Sequence, residues 1–77
     1  MVISKSIKKS YLPYPPILGI TFHKNKKYMY KEQYLGILRN IRTFEQYGRC
    51  QYAFEFENAS MYFYENDMDI KDIVYIL

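Results

Sequence analysis

Cys50 and His23 are the only cysteine and the only histidine in the chain. A thiol nucleophile and an imidazole base would have to come from this pair, and nucleophilic catalysis also needs a group to orient the base. Alternation along 50–57 puts Cys50 on the inward face of a strand, where a small buried thiol is the usual case. His23 sits in the polar, lysine-rich turn His23-Lys24-Asn25-Lys26-Lys27. Neither reads as catalytic. A zinc site takes about four Cys/His ligands, or three and a water, which one Cys and one His do not supply. Glu65, Asp67, Asp69 and Asp72 are spaced like a calcium loop, but an EF-hand needs Gly at its sixth position and Glu at its twelfth. Counted from Glu65, those positions are Ile70 and Ile76, so the run reads as a solvated turn. No Gly-x-Gly-x-x-Gly, P-loop or Gly-x-Ser-x-Gly motif occurs. The expectation is a protein that is not an enzyme, with no metal and no cofactor.

Binding chemistry is better represented. Residues 1–42 hold nine basic groups (Lys5, Lys8, Lys9, Lys24, Lys26, Lys27, Lys31, Arg39 and Arg42) against Glu32, a net of +8. Residues 43–77 hold Arg49 and Lys71 against seven acids, a net of −5, so the formal total is +3. The nine basic groups are candidates for contact with phosphates or with an acidic partner. Lys5, Lys8 and Lys9 would act as an arm, and Lys24, Lys26 and Lys27 lie beside Tyr28 and Tyr30, which could stack on bases. The alternative is that the two halves mix in space and their charges cancel. The chain also has 10 Tyr and 5 Phe. Tyr supplies rigid, amphipathic contact area at interfaces, and Tyr28, Tyr30, Tyr62 and Tyr64 are the candidates for such a surface.

Three functions follow from these patterns. The first is a small protein-binding inhibitor or adaptor acting on a host factor, in the compositional style of phage and mobile-element genes. The second is a nucleic-acid-binding protein that uses the basic half. The third is a self-associating protein, such as a homodimer.

These residues need elements to position them. With 77 residues the chain is one domain. Residues 1–12 read as a flexible basic arm. Tyr11 to Pro16 reads as an extended connector, because proline fixes φ and biases its predecessor towards extended geometry; Pro13-Tyr14-Pro15-Pro16 also has the spacing of a polyproline ligand. Ile17–Phe22 reads as a strand and Lys27–Tyr30 as a short second one. Over 31–47, Tyr30, Tyr34, Ile37, Leu38, Ile41 and Phe44 recur at spacings of three and four. This predicts an amphipathic helix, with Arg39 and Arg42 on its polar side and Gly48 at its C-cap. Residues 50–57 and 60–65 read as a β-hairpin turning at Asn58-Ala59, with Phe56 facing Met61 and Phe54 facing Phe63. Tyr62 and Tyr64 then point outward. Ile73–Leu77 reads as a last strand.

The fold class this implies is α+β, one helix at about 31–47 packed on a small antiparallel sheet. Its core would be Ile20, Phe22, Tyr34, Ile37, Leu38, Ile41, Phe44, Phe54, Phe56, Met61, Phe63, Val74 and Ile76. The alternative is an all-β small barrel of SH3 or Sm type. Gly36-Ile37-Leu38 and the Asp72-Ile73-Val74-Tyr75-Ile76 ending resemble small β-barrel modules of the Sm or YolD-like kind. That resemblance implies that Gly36 lies in a curved strand and that Ile73–Leu77 closes the barrel. Tyr52-Ala53-Phe54 resembles part of the RNP1 strand of RRM domains, but Gln51 replaces the preceding Gly and Glu55 follows at once. No apolar stretch approaches the roughly 20 residues of a membrane span, and no secretory leader is apparent. A cytoplasmic protein with Cys50 reduced is expected.

Overall fold

The computed structural model describes residues 11–76. They form a five-stranded antiparallel sheet in the order β4-β3-β2-β1-β5. The strands are β1 (Lys27–Tyr30), β2 (Gln33–Gln46), β3 (Arg49–Phe56), β4 (Ser60–Tyr64) and β5 (Ile73–Tyr75). A short 3-10 helix, Met68–Asp72, leads into β5. The described residues contain no α-helix, so the α+β expectation is wrong and the all-β alternative fits. Gly36 lies in β2 as that alternative required, but Ile73–Tyr75 pairs with β1 and not with β4, which leaves the sheet open among the described residues.

Segment 31–47 is the main correction. It is the turn Lys31-Glu32 followed by the long strand β2. Two irregularities explain why it reads as a helix. Between β1 and β2, Tyr28 pairs with Gly36 and Met29 with Tyr34, leaving Leu35 as an extra residue. Between β2 and β3, Leu38 pairs with Phe56 and Asn40 with Glu55, leaving Arg39 as an extra residue. Each β-bulge adds one residue to the strand's period of two. Inward-facing Leu35, Leu38 and Ile41 therefore recur every third residue, a helix-like spacing of which the predicted stripe shares Leu38 and Ile41, while its Tyr34 and Phe44 are exposed. Gly48 caps no helix. It joins Tyr47 in the two-residue turn between β2 and β3, with φ of 54° and 72°, the type I′ geometry that suits a twisted hairpin.

The expected strand 17–22 is also absent. Ile17 and Ile20 bridge across a tight turn at Leu18 and Gly19, both at positive φ. Pro13 bridges to His23, and the Tyr14 N–H donates to the Phe22 carbonyl at 2.9 Å. This folded-back segment carries Ile17 and Phe22 into the core. The β3–β4 hairpin exists, with its turn one residue earlier than predicted: the Phe56 N–H donates to the Ala59 carbonyl at 2.8 Å, so Glu57-Asn58 is the turn and Phe54 faces Met61. Both faces survive because a one-residue shift of the turn moves the pairing by two. The turn is tied to β2 by Glu57 N–H to the Ile37 carbonyl (2.8 Å) and Asn58 N–H to the Leu35 carbonyl (3.0 Å).

The core joins Ile17, Phe22, Tyr28, Leu35, Leu38, Phe54, Phe56, Phe63, Ile70 and Ile73. Phe54 is its hub, with Phe22 edge-on at 5.1 Å, Phe63 edge-on at 5.7 Å and Phe56 stacked at 6.1 Å. Such pairs add to the area that aromatics bury. Of the predicted core, Tyr34, Phe44 and Val74 are exposed instead.

Candidate functional site

Two surfaces carry the candidate residues. The first is the outer face of β2, β3 and β4. The pairing aligns Arg42 with Ala53 and Tyr62, and Phe44 with Gln51 and Tyr64, in rows across the three strands. The inner face is filled by the core, so this face meets solvent: Tyr62 and Tyr64 are exposed as expected, and so is Phe44. At the far end Tyr47 tips the β2–β3 hairpin and is 88% exposed. The Arg49 guanidinium lies 3.9 Å from the centre of the Tyr64 ring, a cation–π geometry.

The arginines of β2 are paired. Arg42 bonds the Glu55 carboxylate at 2.8–2.9 Å through two nitrogens, and Arg39 lies 3.9 Å from Glu57. Here the basic and acidic halves of the sequence do meet and compensate. Arg39 and Arg42 were expected among the phosphate-binding groups, and they face carboxylates of their own chain.

The second surface is a cleft of about 330 Å³ beside the open end of β5, lined by Tyr11, Asn25, Lys26, Lys27, Ile37, Tyr75 and Ile76. Asn25 turns the chain with φ 75°, and Asn25 N–H donates to the Leu38 carbonyl at 2.8 Å. The turn brings Lys24, Lys26 and Lys27 to one end of the sheet. The Lys26 ammonium sits 4.4 Å from the Tyr75 ring centre and 5.3 Å from that of Tyr11. Among the described residues no ion pair joins Lys24, Lys26 or Lys27 to a carboxylate.

The aromatics beside these lysines are not the ones the sequence suggested. Tyr28 is buried, 3% exposed, and its hydroxyl accepts from the His23 N–H at 2.9 Å. Burial holds its pKa above the ordinary tyrosine value. Tyr30 is half-buried against Phe63. Lys31 leaves the group as well: the Tyr30 hydroxyl, then Asp69 and Asp72, raise its pKa. Lys5, Lys8 and Lys9 lie outside the described residues.

The remaining reactive groups support no catalytic geometry. Cys50, expected to be buried, is exposed near the end of the hairpin. A hydrogen bond to Glu65 and the charge of that carboxylate raise its thiol pKa, which lowers the thiolate fraction a nucleophile needs. Asp67 Oδ1 accepts from the Asp69 N–H at 3.0 Å and caps the 3-10 helix. Among the described residues no three His, Cys, Asp or Glu converge to hold a metal, and no helix is long and apolar enough to cross a membrane.

Sequence reasoning missed Tyr11, Phe44, Tyr47, Arg49 and Tyr75. Tyr47-Gly48 was the available signal: an x-Gly pair between two runs of alternating residues marks a hairpin tip. Comparison of the chain with protein-family models, with curated proteins and with solved structures gives no match.

Proposed function

We propose that this protein is a non-enzymatic protein-binding module, an inhibitor or adaptor, whose contact surface is the outer face of β2–β3–β4 and the hairpin tip. The observation that carries this reading is the grouping of exposed Phe44, Tyr47, Tyr62 and Tyr64 with Arg49 around Tyr64. Tyr and Arg are the residue types over-represented among interface hot spots. Two of its three arginines are matched by carboxylates, Arg42 by Glu55 and Arg39 by Glu57, and the third, Arg49, lies over Tyr64. That suits a protein surface better than a polyphosphate.

Tyr47 adds a second argument. It occupies a left-handed position, φ 54°, which costs a bulky residue about 1–2 kcal/mol and which Asn would fill at less cost. Its ring is exposed, so the core gains nothing from it.

The test is affinity capture with the full chain, followed by titration of the captured partner. Replacing Tyr62 and Tyr64 together by Ala should weaken binding roughly 30-fold or more, as for hot spots worth about 2 kcal/mol. Tyr47→Asn should weaken binding while raising the melting temperature, so that loss of affinity cannot come from unfolding. Unchanged affinity in the Tyr62/Tyr64 double variant would end the reading. Self-association through the same face is read separately, as a mass that rises with concentration in sedimentation equilibrium.

A further inference from the structure

We infer that the cleft between Tyr11 and Tyr75 is a second binding site, independent of the hairpin face, and that it takes a nucleotide unit of a single-stranded nucleic acid. Three features converge there. Lys26 and Lys27 line the cleft and Lys24 lies just across the Asn25 turn; among the described residues none of the three is paired with a carboxylate, whereas Arg39 and Arg42 elsewhere are. Two rings, Tyr11 at 54% exposed and Tyr75 at 48%, border the same cavity, and among the described residues no acidic side chain lines it. Its volume of about 330 Å³ is at the small end of ligand sites, roughly 300–1,000 Å³. Cations that track the backbone, with aromatic faces on which bases stack, are the two components of single-strand recognition.

The geometry assigns the roles. Lys26 lies over both rings, so a base that stacks on either ring takes the place of the ammonium, which swings aside to meet the neighbouring phosphate. Lys27 is exposed on β1 beside Lys26, and Lys24 lies across the Asn25 turn. The Tyr75 ring is backed by Tyr28, 6.1 Å away between centres, so one wall of the cleft rests on the core. A base entering this space must be unstacked from its own strand, which favours single strands over a duplex.

The test is fluorescence anisotropy of the full chain with a labelled oligo-thymidylate of twelve nucleotides, at 50 and 200 mM salt. Micromolar binding is expected at 50 mM. For three neutralised phosphates on a single strand the affinity should fall roughly 20-fold at 200 mM. Changing Lys24, Lys26 and Lys27 to Gln should lower affinity at least tenfold and flatten the salt dependence. Tyr11→Ala and Tyr75→Ala should each weaken binding by roughly tenfold, within the range measured for base–aromatic stacking, and leave the salt slope in place. Tyr11 lies outside the sheet, so its variant reports on stacking without disturbing a strand.

A duplex of the same length, free thymidine monophosphate and a poly-glutamate peptide of equal charge complete the set, and each should bind more weakly. No anisotropy change at 50 mM overturns the inference, as does an unchanged lysine variant. Equal affinity for the duplex or the peptide, with both tyrosine variants unaffected, also overturns it, since charge alone would then explain binding. The Tyr62/Tyr64 double variant should bind the oligonucleotide like the parent chain, so the two surfaces can fail separately.

Discussion

The hairpin face and the lysine cleft are built from the same ingredients and differ in how charge is settled. On the hairpin face the two β2 arginines have Glu55 of β3 and Glu57 of the following turn within reach, and Arg49 lies over the Tyr64 ring. At the cleft Lys26 has two aromatic rings as neighbours, and none of the three lysines has a carboxylate partner among the described residues. Antiparallel pairing explains the contrast. A strand carrying Arg39 and Arg42 lies against a strand with Glu55 and the turn residue Glu57, and cross-strand neighbours of opposite charge attract. Lys24 and Lys26 sit on a turn before β1, and Lys27 pairs in register with Ile37, so no acidic strand passes them. Compensated charge leaves a surface whose affinity comes from ring burial. Uncompensated charge leaves one whose affinity follows salt.

The largest effect should come from the joint between the two surfaces. Gly36 has φ 85°, and a Cβ there would lie 2.8 Å from Glu57 Oε1 and 2.9 Å from Glu57 Cβ. Gly36→Ala must strain the backbone and displace the turn that β2 anchors. A loss of about 1–3 kcal/mol is expected, against the roughly 3–5 kcal/mol available to a domain of this size. Denaturant unfolding checks it. A variant as stable as the parent would show that the two surfaces do not depend on this contact.

A middle-sized effect separates the wall of the cleft from its charge. Tyr28→Phe removes the acceptor of the His23 N–H, a loss of about 1 kcal/mol at neutral pH. The pH dependence supplies its signature. Burial, followed by the nearby Tyr75, raises the pKa of Tyr28 while the hydrogen bond from His23 lowers it, for a net rise above 10.0. A phenol with a raised folded pKa contributes stability that is complete below the unfolded value and lost as pH climbs through the folded one. Melting temperatures of the parent should therefore fall above about pH 10, and the fall should be shallower in Tyr28→Phe.

The smallest effect tests compensation itself. Arg42 and Glu55 are partly exposed, so a double-mutant cycle should give about 0.2–1 kcal/mol, shrinking as salt is added. Glu55→Gln frees the Arg42 charge and should raise oligonucleotide affinity only slightly if the cleft is the site. A large rise would shift the nucleic-acid surface to the hairpin.

The legible parts of the sequence were those with local rules. Residues 50–57 and 60–65 alternate cleanly, so their hairpin, its two faces and outward Tyr62 and Tyr64 could be read directly. Lys27–Tyr30 was legible as a strand for the same reason. Segment 31–47 was misread because the extra residues Leu35 and Arg39 disguise a period of two as one of three. The first bulge had one local cue, Gly36 at positive φ beside Leu35; the second, at Arg39, is decided by its pairing with β3. Ile17–Phe22 was misread because an apolar run does not specify whether it extends or folds back. The site residues divide in the same way. The lysine cluster was visible because its members are adjacent, while its aromatic partners Tyr11 and Tyr75 come from opposite ends of the chain and meet only where β5 pairs with β1.

By itself the sequence determined the composition of this protein's surfaces: abundant tyrosine, charge divided between halves, and one cysteine and one histidine. Residue type is local information, and it fixes which interactions a chain can make. The tertiary structure decided which charges cancel and which remain. Whether Arg42 meets Glu55 or Lys26 meets Tyr75 depends on strand order and register, and those are set by the burial of Phe54, Leu38 and their neighbours.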